Sequence, residues 1–229
     1  MTQIPFEIVG FDLDGTLLDT SPDLVAAVNH ALAAAGRAPL APEHVTPNIG
    51  GGAKNMLRRT LEDTGGCDEA EFKRLYKLLL TYYEAHIAIG TRPFPGVLDT
   101  LDRLAAMGAK TAVVTNKFEN FARKLLGELG LTERFATIIG GDTMGKGNAK
   151  PSPAPIHEMI ARCGGGRAAF VGDSIYDTGA ARAAGIPSVG VSFGFLTGTV
   201  ADLQADMVID HYDELIPVLQ RLGGQPTGR

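Results

Sequence analysis

The sequence predicts an α/β protein in which helices cover both faces of a parallel sheet and one helical segment interrupts the early chain. After residue 97, short apolar runs alternate with amphipathic patterns of helical length, which is typical of parallel sheets. Residues 22–90 instead show helical periodicity with almost no strand signal. The length of 229 residues suits one large domain or a domain with a smaller insertion.

The first strand is predicted at 8–11, where the apolar run Ile8-Val9-Gly10-Phe11 precedes a polar turn. Further strands are predicted at 110–114, 136–140, 168–172, 188–191 and 207–209. The helices that connect or follow them are predicted at 97–107, 119–129, 153–163, 176–184 and 213–221. This order predicts a doubly wound, Rossmann-like sheet, in which ligands bind beyond the carboxyl ends of the strands.

The inserted segment is predicted to begin with a helix that has Ser21 as its N-cap, Pro22 in its first position and Gly36 as its stop. Residues 68–87 predict a second long amphipathic helix, with Leu75, Leu78, Leu79 and Tyr82 on one side. The two prolines and the glycine of 91–97 indicate a linker that returns to the sheet.

These boundaries predict two domains. A helical cap domain spans 20–92, and an α/β core domain combines 1–19 with 93–229. The hinges are expected at 19–21 and 91–93. Because the cap leaves the chain just after the first strand, it is expected to stand over the carboxyl edge of the sheet.

Composition argues against several classes of partner. The net charge is −5 and no basic block occurs, which argues against nucleic acid. No apolar run approaches the roughly 20 residues of a membrane span, and the N-terminus lacks the pattern of a signal peptide. Cys67 and Cys163 are far apart and have no ligand-like spacing, as expected of a reduced, cytoplasmic protein. A monomer and a homodimer both remain open.

Two carboxylates follow the first strand, at Asp12 and Asp14. Residues two apart on an extended segment share a face, so these side chains are expected to repel each other and to resist burial as anions. A divalent cation, or a shared task in proton or phosphoryl transfer, would offset that cost.

Other strand ends also carry polar side chains. Thr115-Asn116 offers a hydroxyl and backbone N–H groups to an anion, and Lys150 precedes a proline. Asp173 and Asp177 are four residues apart and share a face if the turn is helical. Each residue alone is equally explained by helix capping or by a solvated surface. Four carboxylates at one sheet edge nevertheless predict Mg²⁺, which binds oxygen ligands.

The series "DLDGT" at 12–16, "TN" at 115–116, "KP" at 150–151 and "GDSIYD" at 172–177 resembles the haloacid-dehalogenase-like phosphohydrolases. Order, spacing and placement at strand ends all agree over nearly the whole chain. The helical insertion is similar to the cap domain of that superfamily. Within it, "RPFPGV" and the cap segment "GGGAKNML" at 50–57 resemble the phosphoglycolate phosphatases.

The resemblance implies roles for the carboxylates. Asp12 would attack phosphorus as the nucleophile and form an aspartyl-phosphate. Asp14 would protonate the leaving oxygen and later take a proton from the hydrolytic water. Asp12, the backbone carbonyl of Asp14 and Asp173 would hold Mg²⁺. Asp177 would lie outside the metal ligands or orient Lys150, and Thr16 would hydrogen-bond to Asp14.

The resemblance also implies how the substrate, a small-molecule phosphate ester, is bound. Thr115, the N–H of Asn116 and Lys150 would bind the non-bridging phosphate oxygens. In the cap, Gly51 and Gly52 would allow close backbone approach, and Lys54 would face the carboxylate of 2-phosphoglycolate. A capping loop with a solvated lysine is the alternative explanation of that segment.

Several other functions remain open at this point. Enzymes of the same superfamily that act on nucleotides, sugar phosphates, pyrophosphate or phosphonates, or that move a phosphoryl group within a sugar, share these motifs. A receiver-like signalling domain has a similar acidic pocket, but it is about half this length and lacks the second carboxylate and the insertion. A silent binding domain would need neither Asp12 nor Asp14.

Overall fold

The computed structural model of the protein describes residues 4–224. Its main sheet has six parallel strands in the order β5-β4-β1-β6-β7-β8. They are β1 (Ile8–Phe11), β4 (Lys110–Val114), β5 (Thr137–Ile139), β6 (Ala168–Gly172), β7 (Ser188–Val191) and β8 (Met207–Ile209). The parallel, doubly wound fold class predicted from the sequence is therefore confirmed. Of the six strands, only β5 differs from its predicted bounds, by one residue at each end.

The helices lie close to their predicted positions. They are α1 (Ser21–Ala34), α2 (Pro42–Val45), α3 (Ala53–Asp63), α4 (Glu69–Ala85), α5 (Val97–Ala106), α6 (Glu119–Glu128), α7 (Ala154–Arg162), α8 (Ile175–Ala183) and α9 (Leu215–Gly223). The α9 bounds are shifted by two residues, because a short 3-10 turn at Tyr212–Glu214 precedes the helix. No helix within 4–224 is both long enough and apolar enough to cross a bilayer.

The sheet is buried on both faces. Successive side chains of a strand point to opposite sides, and helices cover both sides. In β1, Ile8 belongs to a cluster with Ile156 and Met159 of α7. Val9 and Phe11, which are two residues apart and share the other face, belong to the larger cluster. This two-sided burial explains why the strands are nearly continuous apolar runs, and it leaves their carboxyl ends free for polar residues.

The inserted segment supplies none of the six strands of the main sheet. Its helices α1 and α4 pack together, and Leu32, Leu75 and Leu79 are fully buried in the larger cluster. The fully buried residues of α4 are Phe72, Leu75, Leu79 and Tyr83, and the predicted Leu78 and Tyr82 are half-buried and pack against the same cluster. The division into a cap of 20–92 and a core of 1–19 and 93–229 stays a prediction.

A short antiparallel ribbon, which was not predicted from the sequence, joins the two predicted hinges. Residues Leu18–Asp19 (β2) and Arg92–Pro93 (β3) pair as an antiparallel ribbon. Asp23 reinforces it by accepting hydrogen bonds from the N–H groups of Gly90 at 2.8 Å and Thr91 at 2.9 Å. The chain therefore enters and leaves the inserted segment at one point.

The predicted start of α1 needs correction. Ser21 is the first residue of the helix, and its N-cap is Thr20. The Ser21 hydroxyl does not cap the helix, because it donates to Asp19 Oδ1 at 2.6 Å. Pro22 consequently occupies the second helical position, where its missing N–H is still harmless.

Candidate active site

Asp12 and Asp14 lie at the carboxyl end of β1, between β4 and β6. The N–H of Asp12 donates to Val171 O at 2.9 Å, which continues the sheet pairing by one residue. Gly15 then turns the chain with φ +81°, and a Cβ on it would lie 2.3 Å from Asp173 Oδ2. Only glycine therefore lets this backbone pass so close to Asp173.

Lys150 lies between Asp12 and Asp177 and pairs with both. Its Nζ lies 2.8 Å from Asp12 Oδ1 and 2.6 Å from Asp177 Oδ1. It also donates to Val114 O, at the end of β4, at 2.7 Å. The Lys150 side chain is only 1 % exposed, which excludes the alternative of a solvated surface lysine.

Asp177 reaches this site through a capping box and not through a helical face shared with Asp173. Ser174 is the N-cap of α8, and its N–H donates to Asp177 Oδ2 at 2.9 Å. Asp173 precedes the N-cap, so the condition of a helical turn across both aspartates is not met. The capping box turns the Asp177 side chain back towards the end of β6, where it meets Lys150.

Both oxygens of Asp173 accept hydrogen bonds. The Thr16 hydroxyl donates to Oδ1 at 3.0 Å, and the N–H of Phe195 donates to Oδ2 at 2.7 Å. The expected hydrogen bond from Thr16 to Asp14 is therefore wrong, because the single hydroxyl proton of Thr16 is used on Asp173. Thr16 links the β1 turn to the end of β6.

The charges of this cluster are only partly balanced. Burial raises the pKa of Asp12 to about 6, with Asp177 and Asp14 acting in the same direction and Lys150 opposing them. Burial also raises the pKa of Asp173 well above its usual range, assisted by Asp177 and Asp12. The pKa of Lys150 is raised, because attraction to Asp12 and Asp177 outweighs the lowering effect of burial. Three buried aspartates, Asp12, Asp173 and Asp177, therefore share one buried cationic side chain, that of Lys150.

The oxygen atoms of this cluster fit a divalent cation. One carboxylate oxygen from each of Asp12, Asp173 and Asp177 lies within 4.8 Å of the others. Asp12 Oδ1 is buried and has no hydrogen bond of acceptable geometry, despite its proximity to Lys150. Asp177 already uses its two oxygens on Lys150 and Ser174. Asp12 is therefore the carboxylate of this cluster with an unused buried oxygen, because both oxygens of Asp173, like those of Asp177, already accept hydrogen bonds. Carboxylate oxygens are what hard cations prefer.

Thr115 and Asn116 follow β4 beside this cluster. The Thr115 hydroxyl oxygen accepts from the N–H of Lys117 at 3.2 Å, which leaves its own proton free to donate. Asn116 Nδ2 donates to the carbonyls of Lys150 and Gly50, each at 3.1 Å. Asn116 thus joins the sheet edge to the loop of the inserted segment.

A cavity of about 480 Å³ is lined by predicted residues from both parts of the chain, although Lys150, Asp173 and Asp177 are not among its lining residues. From the sheet edge it is lined by Asp12, Asp14, Thr115, Asn116, Lys117 and Lys146. From the inserted segment it is lined by Gly51, Gly52, Lys54, Tyr76 and Tyr83, among others. Lys54 is the second residue of α3, whose N-cap is Gly52 with φ +84°. The three cap-loop residues predicted from the sequence therefore face the same space as Asp12 and Asp14.

Lys117 and Tyr83 also line this cavity beside Asp14, although neither was predicted from the sequence. Lys117 Nζ lies 2.6 Å from Asp14 Oδ1 and 2.8 Å from Oδ2, and it stands 4.8 Å from the centre of the Tyr83 ring. Lys117 directly follows the "TN" motif after β4, and β4 is the neighbour of β1, so its position was open to prediction. Tyr83 had no such signal, because it belongs to the apolar side of α4.

Comparison with known proteins agrees with this architecture. The family model of the haloacid dehalogenase-like hydrolases matches residues 9–191. A phosphoglycolate phosphatase of Agrobacterium fabrum (strain C58) is 44 % identical over 213 residues, covering 91 % of this chain and 90 % of the relative. A phosphoglycolate phosphatase of Mesorhizobium japonicum is 40 % identical over 219 residues, covering 94 % of this chain and 96 % of the relative.

Solved structures give the same result. A crystal structure described as a predicted phosphoglycolate phosphatase from Haemophilus somnus 129pt superposes with a TM-score of 0.88 at 30 % identity, covering 96 % of this chain and 100 % of that one. The residues matched by the family model include all four motifs. The chain therefore belongs to the haloacid dehalogenase-like hydrolase family.

Proposed function

We propose that the protein is a Mg²⁺-dependent phosphomonoester hydrolase that converts 2-phosphoglycolate to glycolate and phosphate. One observation carries the proposal: two buried carboxylates, Asp12 and Asp14, face a single cavity and each is paired with its own buried lysine. Such an arrangement provides a nucleophile, a proton donor and positive charge for a phosphoryl group. The names of the relatives support the choice of substrate.

In the first half of the reaction, a carboxylate oxygen of Asp12 attacks phosphorus. The bond between phosphorus and the leaving oxygen breaks, its electron pair stays on that oxygen, and Asp14 supplies a proton to it. Glycolate leaves, and Asp12 is phosphorylated. The burial of both carboxylates favours this chemistry, because little water is present to compete with Asp12.

In the second half, water attacks the phosphorus of the aspartyl-phosphate and Asp14 takes the proton of that water. The bond between phosphorus and the Asp12 oxygen breaks, which releases phosphate and restores Asp12. Asp12, Asp173 and the Asp14 carbonyl would hold Mg²⁺, which would supply positive charge for the phosphoryl oxygens. The contact of Gly15 with Asp173 supports the Asp14 carbonyl as a ligand, since it places the backbone of the turn beside that carboxylate.

The remaining residues of the sheet edge would bind the non-bridging oxygens. Thr115 has a free hydroxyl proton, and Lys150 holds a buried charge beside Asp12. Asp177 would orient Lys150, as their 2.6 Å contact supports. We also propose that residues 20–92 act as a cap. The loop of this cap at 50–54 would contact the leaving group of the substrate.

A panel of phosphate monoesters tests the proposed substrate. We expect 2-phosphoglycolate to give the highest kcat/KM, above hexose phosphates, nucleotides and pyrophosphate, when the rates are measured with Mg²⁺ present. If phosphoglycolate ranks below the hexose phosphates or pyrophosphate, the substrate assignment is wrong, although phosphatase activity would stand. No turnover of any ester, including an aryl phosphate, would reject the enzyme class.

The second prediction concerns Lys54. This residue is exposed at the N-terminus of α3, where the helix dipole already concentrates positive potential, so it is placed to attract an anion. Lys54→Ala is expected to lower kcat/KM for 2-phosphoglycolate by about 10-fold or more, the scale of one charge-assisted hydrogen bond. Hydrolysis of an aryl phosphate ester whose leaving group carries no carboxylate should barely change. Equal losses on both substrates would mean that the loop assists closure and does not bind the carboxylate.

A further inference from the structure

The ion pair between Lys117 and Asp14 leaves one donor unused. Lys117 Nζ donates to both oxygens of Asp14, and an ammonium group has three N–H donors. The Tyr83 hydroxyl is the nearest remaining partner, but among residues 4–224 it forms no hydrogen bond of acceptable geometry with Lys117. The Lys117 side chain is 5 % exposed, so water has little access to that donor.

Tyr83 presents a second unused donor at the same place. It comes from α4 and lines the cavity together with Asp14 and Lys117. Its hydroxyl is buried and has no hydrogen-bond partner within the described residues, although Lys117 stands over its ring. Burial raises the pKa of Tyr83 to about 12, so the hydroxyl keeps its proton at neutral pH. An unpartnered buried hydroxyl costs free energy unless a ligand accepts its hydrogen bond.

The position of this pair relative to the leaving oxygen follows from Asp14. A proton donor lies about 2.7 Å from the oxygen that it protonates. Lys117 Nζ lies 2.6 and 2.8 Å from the oxygens of Asp14. The ammonium is therefore within about 5.5 Å of the leaving oxygen, by the sum of two hydrogen-bond lengths. A carboxylate attached one carbon away from that oxygen can reach it.

We propose that the third N–H of Lys117 and the hydroxyl of Tyr83 form a subsite for a carboxylate carried by the leaving group. The proposal rests on the proposed function, because it takes Asp14 as the group beside the leaving oxygen. It makes Lys117 and Tyr83 residues that determine specificity from the buried end of the cavity. Lys54 would meet the same carboxylate from the exposed end, which four lone-pair sites on a carboxylate allow.

Binding without turnover tests the subsite. In the Asp12→Asn background with Mg²⁺, calorimetry would give the Kd of 2-phosphoglycolate and of its neutral isostere 2-phosphoglycolamide. We expect the parent to prefer the carboxylate by about 10-fold or more, the scale of a charge-assisted hydrogen bond. Lys117→Met should remove most of that preference, Tyr83→Phe should reduce it severalfold, and Lys117→Arg should retain part of it.

Matched controls on α4 are Lys73→Met and Tyr82→Phe, which change the same residue types outside the cavity and should leave the preference intact. If Lys117→Met weakens both ligands equally, Lys117 acts only through Asp14 and the subsite is rejected. An unchanged preference in Lys117→Met also rejects it. Should Lys117→Met fail to fold, Tyr83→Phe decides alone, because its hydroxyl has no partner to lose.

The same experiment separates this proposal from the proposed function. If wild-type protein hydrolyses 2-phosphoglycolate poorly, the substrate assignment fails. If the binding preference for the carboxylate is nevertheless present and disappears in Lys117→Met, the subsite stands. Absence of any preference in the parent overturns the subsite whatever the turnover rates are.

Discussion

Asp12→Asn is expected to lower kcat by about three orders of magnitude or more, the usual scale for loss of a covalent catalyst. The amide is nearly isosteric with the carboxylate, but it cannot attack phosphorus. The substitution should leave the protein folded, because Lys150 keeps its ion pair with Asp177. Steady-state rates with 2-phosphoglycolate and Mg²⁺ measure the effect, and circular dichroism confirms the fold.

Asp99→Asn, at an exposed aspartate of α5, is the matched control and should retain full activity. Rapid acid quenching of the wild-type reaction should trap a phosphorylated Asp12, which mass spectrometry can locate. Activity of the Asp12→Asn variant within tenfold of wild type would refute Asp12 as the nucleophile.

Removing divalent metal is expected to abolish turnover reversibly. Without a cation, Asp12, Asp173 and Asp177 would face the phosphate dianion with Lys150 as their shared counter-charge, and repulsion would oppose binding. Dialysis against EDTA should reduce activity to background, and added Mg²⁺ should restore it.

Ca²⁺ is expected to bind in place of Mg²⁺ but to support little turnover. It accepts a larger and looser shell of oxygen ligands, so it can bind both oxygens of Asp12 and block attack on phosphorus. The measurement is the rate with each ion added to metal-free protein. Full activity after EDTA would refute the metal requirement, and equal rates with Mg²⁺ and Ca²⁺ would refute the geometry proposed for Asp12.

Much of the fold could be predicted because each strand of the sheet is a short apolar run with a polar or glycine-rich boundary. The bounds 110–114, 168–172 and 188–191 follow from that contrast alone. The convergence of Asp12, Thr115 and Asp173 was also predictable, because the carboxyl ends of neighbouring parallel strands meet at one edge.

Local patterns were misleading where one polar side chain had two possible partners. Serine is a residue type favoured at N-caps, yet the Ser21 hydroxyl donates its hydrogen bond to Asp19. Thr16 lies two residues from Asp14, yet it donates to Asp173, which is distant in sequence. For Thr16 the partner nearer in the sequence was not the partner nearer in space, whereas Ser21 found a partner only two residues away, on the side opposite to the helix.

The sequence by itself determined the order of strands and helices along the chain, the helical segment that follows the first strand, and the set of polar residues at the strand ends. Only the tertiary structure decided which of those residues are paired. Lys117 and Asp14 are 103 residues apart, and Asn116 and Gly50 are 66 residues apart. Such pairs depend on the order of the strands in the sheet and on how α3 and α4 pack over its edge, which no local periodicity encodes. Burial makes these contacts important for binding, because a charge or hydroxyl removed from water needs a partner in the protein or in the substrate.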